Sequence, residues 1–332
     1  MTTCPYGFRI VGATCERRRL VDAAAAFAGY AACDPRAELE REAYLSAFWF
    51  GNDFGEYLAD NGTVAGYRGT CWAPLVWFDI DRDGELDKAL ADTRRLAAFL
   101  DERYGLDDGE LLAFYSGSKG FHLALPTALW LPEPSSTFNA VCRRFAKSIA
   151  ERAHVGIDCG VYSTVQAFRA PNSRHPKTGL HKRRLAFDEL SGLKLAGIQR
   201  LAEAPEPFEL PDVRRTCPQA IADWHDAEQA VERQHAAIAE RRAAGDGNAT
   251  LNRLTFDFIR NGAPAGGDGV ADELAGRHRR LFSAAANLAD FGCPPALAHA
   301  LLTEAGLDSG LPPREVHRQI ECGLAHRQGG AP

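Results

Sequence analysis

No stretch of this sequence reaches the roughly 18 consecutive apolar residues of a membrane-spanning helix, and its start shows no charged-then-apolar targeting pattern. The alanine-rich residues 22–30 are too few and too weakly apolar to cross a bilayer. A cytoplasmic chain with no membrane partner is expected. Cysteine pairs at C-x2-C spacing are also missing. The nine cysteines (4, 15, 33, 71, 142, 159, 217, 293 and 322) are scattered, and an odd number argues against a disulfide framework. The same scatter argues against a zinc ribbon, so zinc is not expected; folding could gather a set from distant positions, such as Cys142, His154 and Cys159. There is no P-loop, no helicase motif and no internal repeat, so an unwinding partner would be a separate protein. The net charge of −6 gives no overall attraction for a polyanion.

What is present is uneven in charge. Residues 141–200 hold 12 Lys/Arg against 4 Asp/Glu, a local charge of +8, and the rest of the chain is −14. A basic segment in an acidic chain marks where phosphates could sit, although Arg143, Arg144, Lys147 and Arg152 also suit a solvated helix face. Apolar content of 45% and charged content of 25% are those of an ordinary globular protein. The length suits two domains, or one with an appendage.

Hydrophobic spacing predicts a helix over residues 35–48, then a strand over 73–81 that is apolar until it ends in two aspartates. A helix is expected over 85–104, where Leu86, Leu90, Ala97, Leu100 and Tyr104 recur at helical spacing. Residues 111–115 and 121–125 read as strands around a turn, 134–153 as a helix, and 165–169 and 184–187 as strands flanking a polar loop. Strands and helices alternate without a strict βαβ rhythm, which predicts an α+β fold with mixed sheets flanked by helices. The proline-rich acidic segment 201–218 reads as a linker between a domain over 1–200 and an all-α domain over 219–332. In that second domain, helices are expected over 219–244, 249–260, 270–290, 294–305 and 312–327.

Asp79 and Asp81, at i and i+2 on a strand, point to one face. A D-x-D is commonly a turn or a helix cap. Here it ends an apolar strand, where two carboxylates repel unless a hard divalent cation such as Mg2+ or Mn2+ lies between them. The turn Ser116-Gly-Ser-Lys-Gly120 lets backbone N–H groups approach a phosphate, with Ser118 and Lys119 alongside; read blandly, it is a hairpin with a surface lysine. His122 lies in the following strand, where a histidine is commonly a satisfied core residue. After Arg169, the residues Ser173, Arg174, His175, Lys177 and Lys182 crowd many donors together, as a triphosphate or a nucleic-acid backbone requires and as an exposed basic loop also provides. Asp158 gains meaning only as a third carboxylate.

Taken in order, these segments resemble the archaeo-eukaryotic primase superfamily, which includes primase small subunits, primase-polymerases and the polymerase domains of bacterial end-joining ligases. Asp79-Ile-Asp81 is similar to its first, metal-binding motif, and Ser116-Gly-Ser-Lys-Gly-Phe-His122 to its second, nucleotide-binding one. Ile157-Asp158 is similar to the third motif, and Ser173-Arg-His-Pro-Lys-Thr-Gly179 to the S-x-H-x-K-T-G segment of primase small subunits. The likeness covers about residues 73–187. The zinc-binding cysteine cluster common in primase small subunits is missing, and the short interval between the first two motifs matches bacterial, phage and plasmid members.

The resemblance implies a template-directed nucleotidyltransferase that makes primers on single-stranded DNA. Two Mg2+ or Mn2+ ions would be held by Asp79, Asp81 and Asp158. An incoming NTP or dNTP would be held by Ser116, Ser118, Lys119, His122, Arg169, Ser173, His175 and Lys177. The same residues would serve a gap-filling or end-joining polymerase, and an inactivated fold would serve a replication-initiation protein that only binds DNA. The helical tail, with Gly310-Leu-Pro-Pro-Arg-Glu-Val316, resembles the C-terminal domains of phage and plasmid primases.

Overall fold

Strands and helices interleave along residues 4–64, 66–107, 109–243, 251–262 and 270–328, which the computed structural model describes. The chain opens with β1 (Tyr6–Val11), β2 (Arg19–Asp22), α1 (Ala23–Ala31), β3 (Ala43–Ser46), β4 (Trp49–Phe50), α2 (Asp53–Asn61) and β5 (Cys71–Trp72). Next come β6 (Leu75–Asp81), α3 (Leu86–Tyr104), β7 (Leu112–Tyr115), β8 (Gly120–Pro126) and α4 (Phe138–Arg152). Then follow β9 (Ala167–Arg169), β10 (Arg183–Leu185), α5 (Phe187–Gly192), α6 (Leu195–Leu201) and α7 (Pro218–Ala243). The remaining helices are α8 (Arg253–Asn261), α9 (Val270–Asp290), α10 (Pro295–Asp308) and α11 (Pro313–Gln328). The fold is α+β with a helical C-terminal part, and no helix among the described residues is long and apolar enough to cross a membrane.

Two sheets form, and among the described residues every strand pairs antiparallel. One has the order β5-β4-β1-β3-β9 with β2 also on β1; the other has the order β10-β7-β8-β6. The second sheet explains why β6 and β8 read so clearly as strands. Leu75 to Phe78 and all of β8 are buried, so both are apolar on both faces. α3 and α4 cover this sheet with their apolar stripes: Leu90, Leu96, Ala97 and Leu100 from one, Phe138, Phe145 and Ile149 from the other.

Residues 35–48 do not form the helix that their spacing predicts. A short 3-10 turn, Pro35–Ala37, is capped by Asp34, and the chain then straightens into β3. Ala43 and Leu45 turn inward there, while Tyr44 pairs across to Ile10 on one side and Arg169 on the other. Ladder pairing on both sides of β3 overrides a helical preference built largely of Glu and Arg.

Two compact units divide at residues 236 and 237. The first includes the proline-rich segment and the start of α7. Phe208 packs edge-on against Phe114, Arg215 reaches Glu110, and the Cys217 amide donates to the Leu129 carbonyl at 2.7 Å. Asp223 on α7 accepts two 2.7 Å bonds from Arg103, one at 2.9 Å from Tyr104 and one at 3.2 Å from Arg152. Beside it, Trp224 lies 5.5 Å from the Trp130 ring, 5.3 Å from Phe138 and 5.7 Å from Phe145. The second unit has its own core, with Phe258, Leu281, Ala285, Leu302, Val316 and Ile320 among its members.

Deleting the Trp224 ring leaves a cavity in this aromatic cluster. Trp224→Ala is expected to destabilise the first unit by about 3–5 kcal/mol, read from the midpoint of urea unfolding followed by circular dichroism.

Candidate active site

β6 is the edge strand of its sheet, so the carbonyls on its outer side need partners from elsewhere. Two come from the segment after α4. The Asp158 amide donates to the Asp79 carbonyl at 2.8 Å, and the Tyr162 hydroxyl donates to the Trp77 carbonyl. These bonds lay the third carboxylate beside the first two. Arg82, directly after the D-x-D, fastens the arrangement. Its guanidinium donates to the carbonyls of Asp81 (2.7 Å) and Gly156 (2.9 Å) and forms a forked pair with Asp92 at 2.7 and 3.0 Å.

On the inner side, Asp79 is in register with His122 and Asp81 with Gly120. A Cβ at position 120 would lie 2.1 Å from the Asp81 carboxylate and 2.4 Å from the Ile80 carbonyl, so glycine leaves the room that the Asp81 side chain occupies. Lys119, exposed on the turn, reaches Asp81 at 3.1 Å and Asp83 at 3.5 Å. Burial would lower its pKa, but those two carboxylates outweigh burial and raise it.

Asp79 is the anomalous group. Burial, with the charges of Asp81 and Asp158 adding to it, pushes its pKa up to about 8. Its Oδ1 is buried without a hydrogen-bond partner, with His122 Nε2 3.5 Å away. That histidine cannot form an ion pair with it: burial, with help from Lys182 and Arg169, holds its pKa well below the ordinary value, so it is neutral at pH 7. A buried, unpartnered carboxylate oxygen with two further carboxylates nearby suits a hard divalent cation. The three carboxylates face one region without offering oxygens that all lie within 4.8 Å of one another. Asp158 is exposed, and its Oδ1 accepts from the Gly160 amide at 2.7 Å.

The other half of the site comes from the first sheet. Arg169, at the end of β9, lies over the Tyr44 ring at 5.1 Å, donates to the Tyr44 hydroxyl at 3.2 Å and sits 3.7 Å from Glu42. Its Nη1 is buried without a partner. In the loop beyond, the His175 Nδ1 accepts from the amides of Lys177 and Thr178, both at 3.3 Å. Burial and Arg169 lower the pKa of this histidine, which leaves a neutral ring with its proton on Nε2. The Thr178 hydroxyl donates to the Gly117 carbonyl at 2.5 Å, docking this loop on the turn 116–120.

Four residues depart from the simple picture of an exposed donor cluster. Ser173 is fully buried, and its hydroxyl donates to the Ala170 carbonyl at 2.7 Å, so it shapes the loop. The Ser116 Oγ accepts from the amides of Gly120 (3.2 Å) and Ser118 (3.4 Å), which closes the turn. Ser118 itself is half-buried, and its carbonyl accepts from Tyr115. Lys182 is not a loop cation at all. It is fully buried, donates to the Arg169 carbonyl at 2.9 Å and faces the Phe168, Trp77 and Phe114 rings at 4.2, 4.4 and 5.2 Å. Burial pulls its pKa well down, and the charge of Asp79 opposes that.

Lys177 remains exposed, whereas Cys142 is buried in the core and His154 is exposed, so that pair and Cys159 are not gathered into a ligand set. Sequence reasoning gave no site role to Arg82, Glu42 or Tyr44, and it placed Lys182 among the loop donors. Only Arg82 carries a local signal, its position next to Asp81.

No protein-family model matches the chain, and no curated protein does. Among solved structures the chain is similar to the primase RepB′, at 15% sequence identity and a TM-score of 0.33, over 99% of this chain and 95% of that one. At that score the residues of the site, not the neighbour, carry the functional reading.

The raised pKa of Asp79 has a consequence for stability. Between its ordinary value of 3.8 and about 8, the folded protein holds a proton that the unfolded chain releases. Stability is thus lost as pH rises through that window. In the presence of a chelator, Asp79→Asn is expected to melt a few degrees above the wild type at pH 8, with the difference closing towards pH 4.

Proposed function

We propose that this chain is a primase or primase-polymerase, joining nucleotides on a single-stranded DNA template by two-metal nucleotidyl transfer. The observation that carries this reading is the convergence of Asp79, Asp81 and Asp158, with the Oδ1 of Asp79 buried and without a hydrogen-bond partner. A protein that only binds DNA gains nothing from holding three mutually repelling acids together. Asp79, Asp81 and Asp158 would hold two Mg2+ or Mn2+ ions, which when bound activate the attacking 3′-hydroxyl and neutralise the triphosphate.

The chain's own groups then divide the remaining work. Lys119, now paired with Asp81, is free to turn to a phosphate once that carboxylate is otherwise compensated. The turn 116–120, closed by Ser116, presents Ser118 and backbone N–H groups to the same phosphates. Arg169, held by Tyr44 and Glu42, and the Nε2–H of His175 supply positive charge and a directed donor from the opposite sheet, and Lys177 adds a solvent-facing cation. His122, buried and neutral, backs the Asp79 carboxylate at 3.5 Å, and the buried Lys182 adds its electrostatic influence to both.

The decisive assay incubates the protein with unprimed circular single-stranded DNA, Mn2+ or Mg2+, and labelled ribonucleotides or deoxyribonucleotides in separate reactions. Short labelled products are expected, and Asp79→Ala or Asp81→Ala should lower the rate at least a thousandfold with the fold intact. Wild-type-like incorporation by a folded Asp79→Ala protein overturns the carboxylate assignment. Extension of primed but not unprimed template identifies a gap-filling or end-joining polymerase. Lys119→Ala is expected to raise the nucleotide KM about tenfold with a smaller effect on kcat, measured by primer extension.

A further inference from the structure

The helical second unit carries a ligand set unrelated to the aspartates. His299 on α10 and His317 and Glu321 on α11 each offer one ligand atom, and these atoms all lie within 4.8 Å of one another. His317 and Glu321 stand at i and i+4, so they share one face of α11 one turn apart. His299 meets them from the facing helix: its Nε2 is 2.6 Å from the Glu321 carboxylate, and its ring centre is 4.9 Å from that of His317. Beneath the trio, Ala298 and Leu302 of α10 and Val316 and Ile320 of α11 are buried in the core of this unit, which fixes the two helices that carry the ligands. His299 is half-buried, while His317 and Glu321 are exposed, so an ion can enter from solvent.

We propose that His299, His317 and Glu321 form a zinc site that bridges α10 and α11. Two imidazoles and one carboxylate are a donor set that zinc takes in tetrahedral geometry with water in the fourth position; Mg2+ and Ca2+ prefer oxygen throughout. Ligand atoms on a tetrahedral zinc ion stand about 3.3 Å apart, as bonds of about 2.0–2.1 Å require. The His299–Glu321 contact, at hydrogen-bond length, opens by a fraction of an ångström as the ion replaces the shared proton. The missing C-x2-C spacing argues against a zinc ribbon and says nothing about a site built from histidines across two helices. This site stands apart from the proposed polymerase reading and does not depend on it.

The test titrates the chelator-treated full-length chain with zinc chloride alone, and compares wild type with His299→Ala, His317→Ala and Asp79→Asn. One zinc per chain is expected at micromolar zinc in Asp79→Asn, and at least one in wild type, with an upward shift in Tm. Affinity should fall at least tenfold in both histidine variants. His317→Ala is the informative substitution, because it leaves the His299–Glu321 hydrogen bond intact. Its Tm in chelator should match the wild type, which shows that it folds, while its response to zinc is lost. Cobalt(II) in place of zinc should give visible absorption of tetrahedral intensity in wild type and none in His317→Ala. No zinc bound by wild type, or equal zinc binding in wild type and both histidine variants, overturns the site.

Discussion

Burying Asp79 beside two other carboxylates is the constraint around which the first unit is organised. Desolvation and like charge both oppose ionisation, and in the absence of a cation the fold answers by holding a proton near neutrality. Stability elsewhere must offset this. The double-sided burial of β6 and β8, the forked Arg82–Asp92 pair and the Asp158–Asp79 backbone bond hold the acids together against their repulsion. In the proposed reading a divalent cation would relieve the same strain, so affinity for the ion and instability of the site without it would have one origin.

The site is also a seam. Asp79, Asp81, His122 and the 116–120 turn belong to one sheet, and Arg169 and the Tyr44–Glu42 pair that orients it belong to the other. Lys182 lies between them, its ammonium enclosed by Trp77 and Phe114 of one sheet and Phe168 of the other. An amine at that depth is tolerated because three aromatic faces and a backbone carbonyl replace part of its hydration, and because burial pulls its pKa well down.

β6 and its two aspartates are legible in the sequence because a fully buried strand is an uninterrupted apolar run, and two acids at its end violate that pattern visibly. The α3 and α4 stripes are legible for the same reason, each presenting one apolar face. The segment 35–48 is not, since β3 owes its extended form to neighbours far away in sequence, Ile10 and Arg169 among them. Of the site, the aspartates, Lys119 and the basic loop can be found by residue type and spacing. Which loop residues face solvent cannot: Ser173 and Lys182 are polar in the sequence and buried in the structure, a difference made by the packing of two sheets. The His299 and His317–Glu321 set is hidden for a related reason, because it exists only when α10 lies along α11.

The bond from Thr178 to the Gly117 carbonyl joins the loop that crosses from one sheet to the other to a turn of the second sheet, 61 positions away in the chain. A Cβ on Gly117 would come within 2.9 Å of the Leu180 carbonyl, so the contact is as close as backbone allows. Its consequence is one of timing. The entropy lost in bringing the two donor groups together is lost once, when the chain folds, and not again each time a polyphosphate arrives. In the proposed reading, successive ligands would meet a cradle already assembled, and its discrimination among them would rest on charge and shape and not on the capacity to organise a mobile loop.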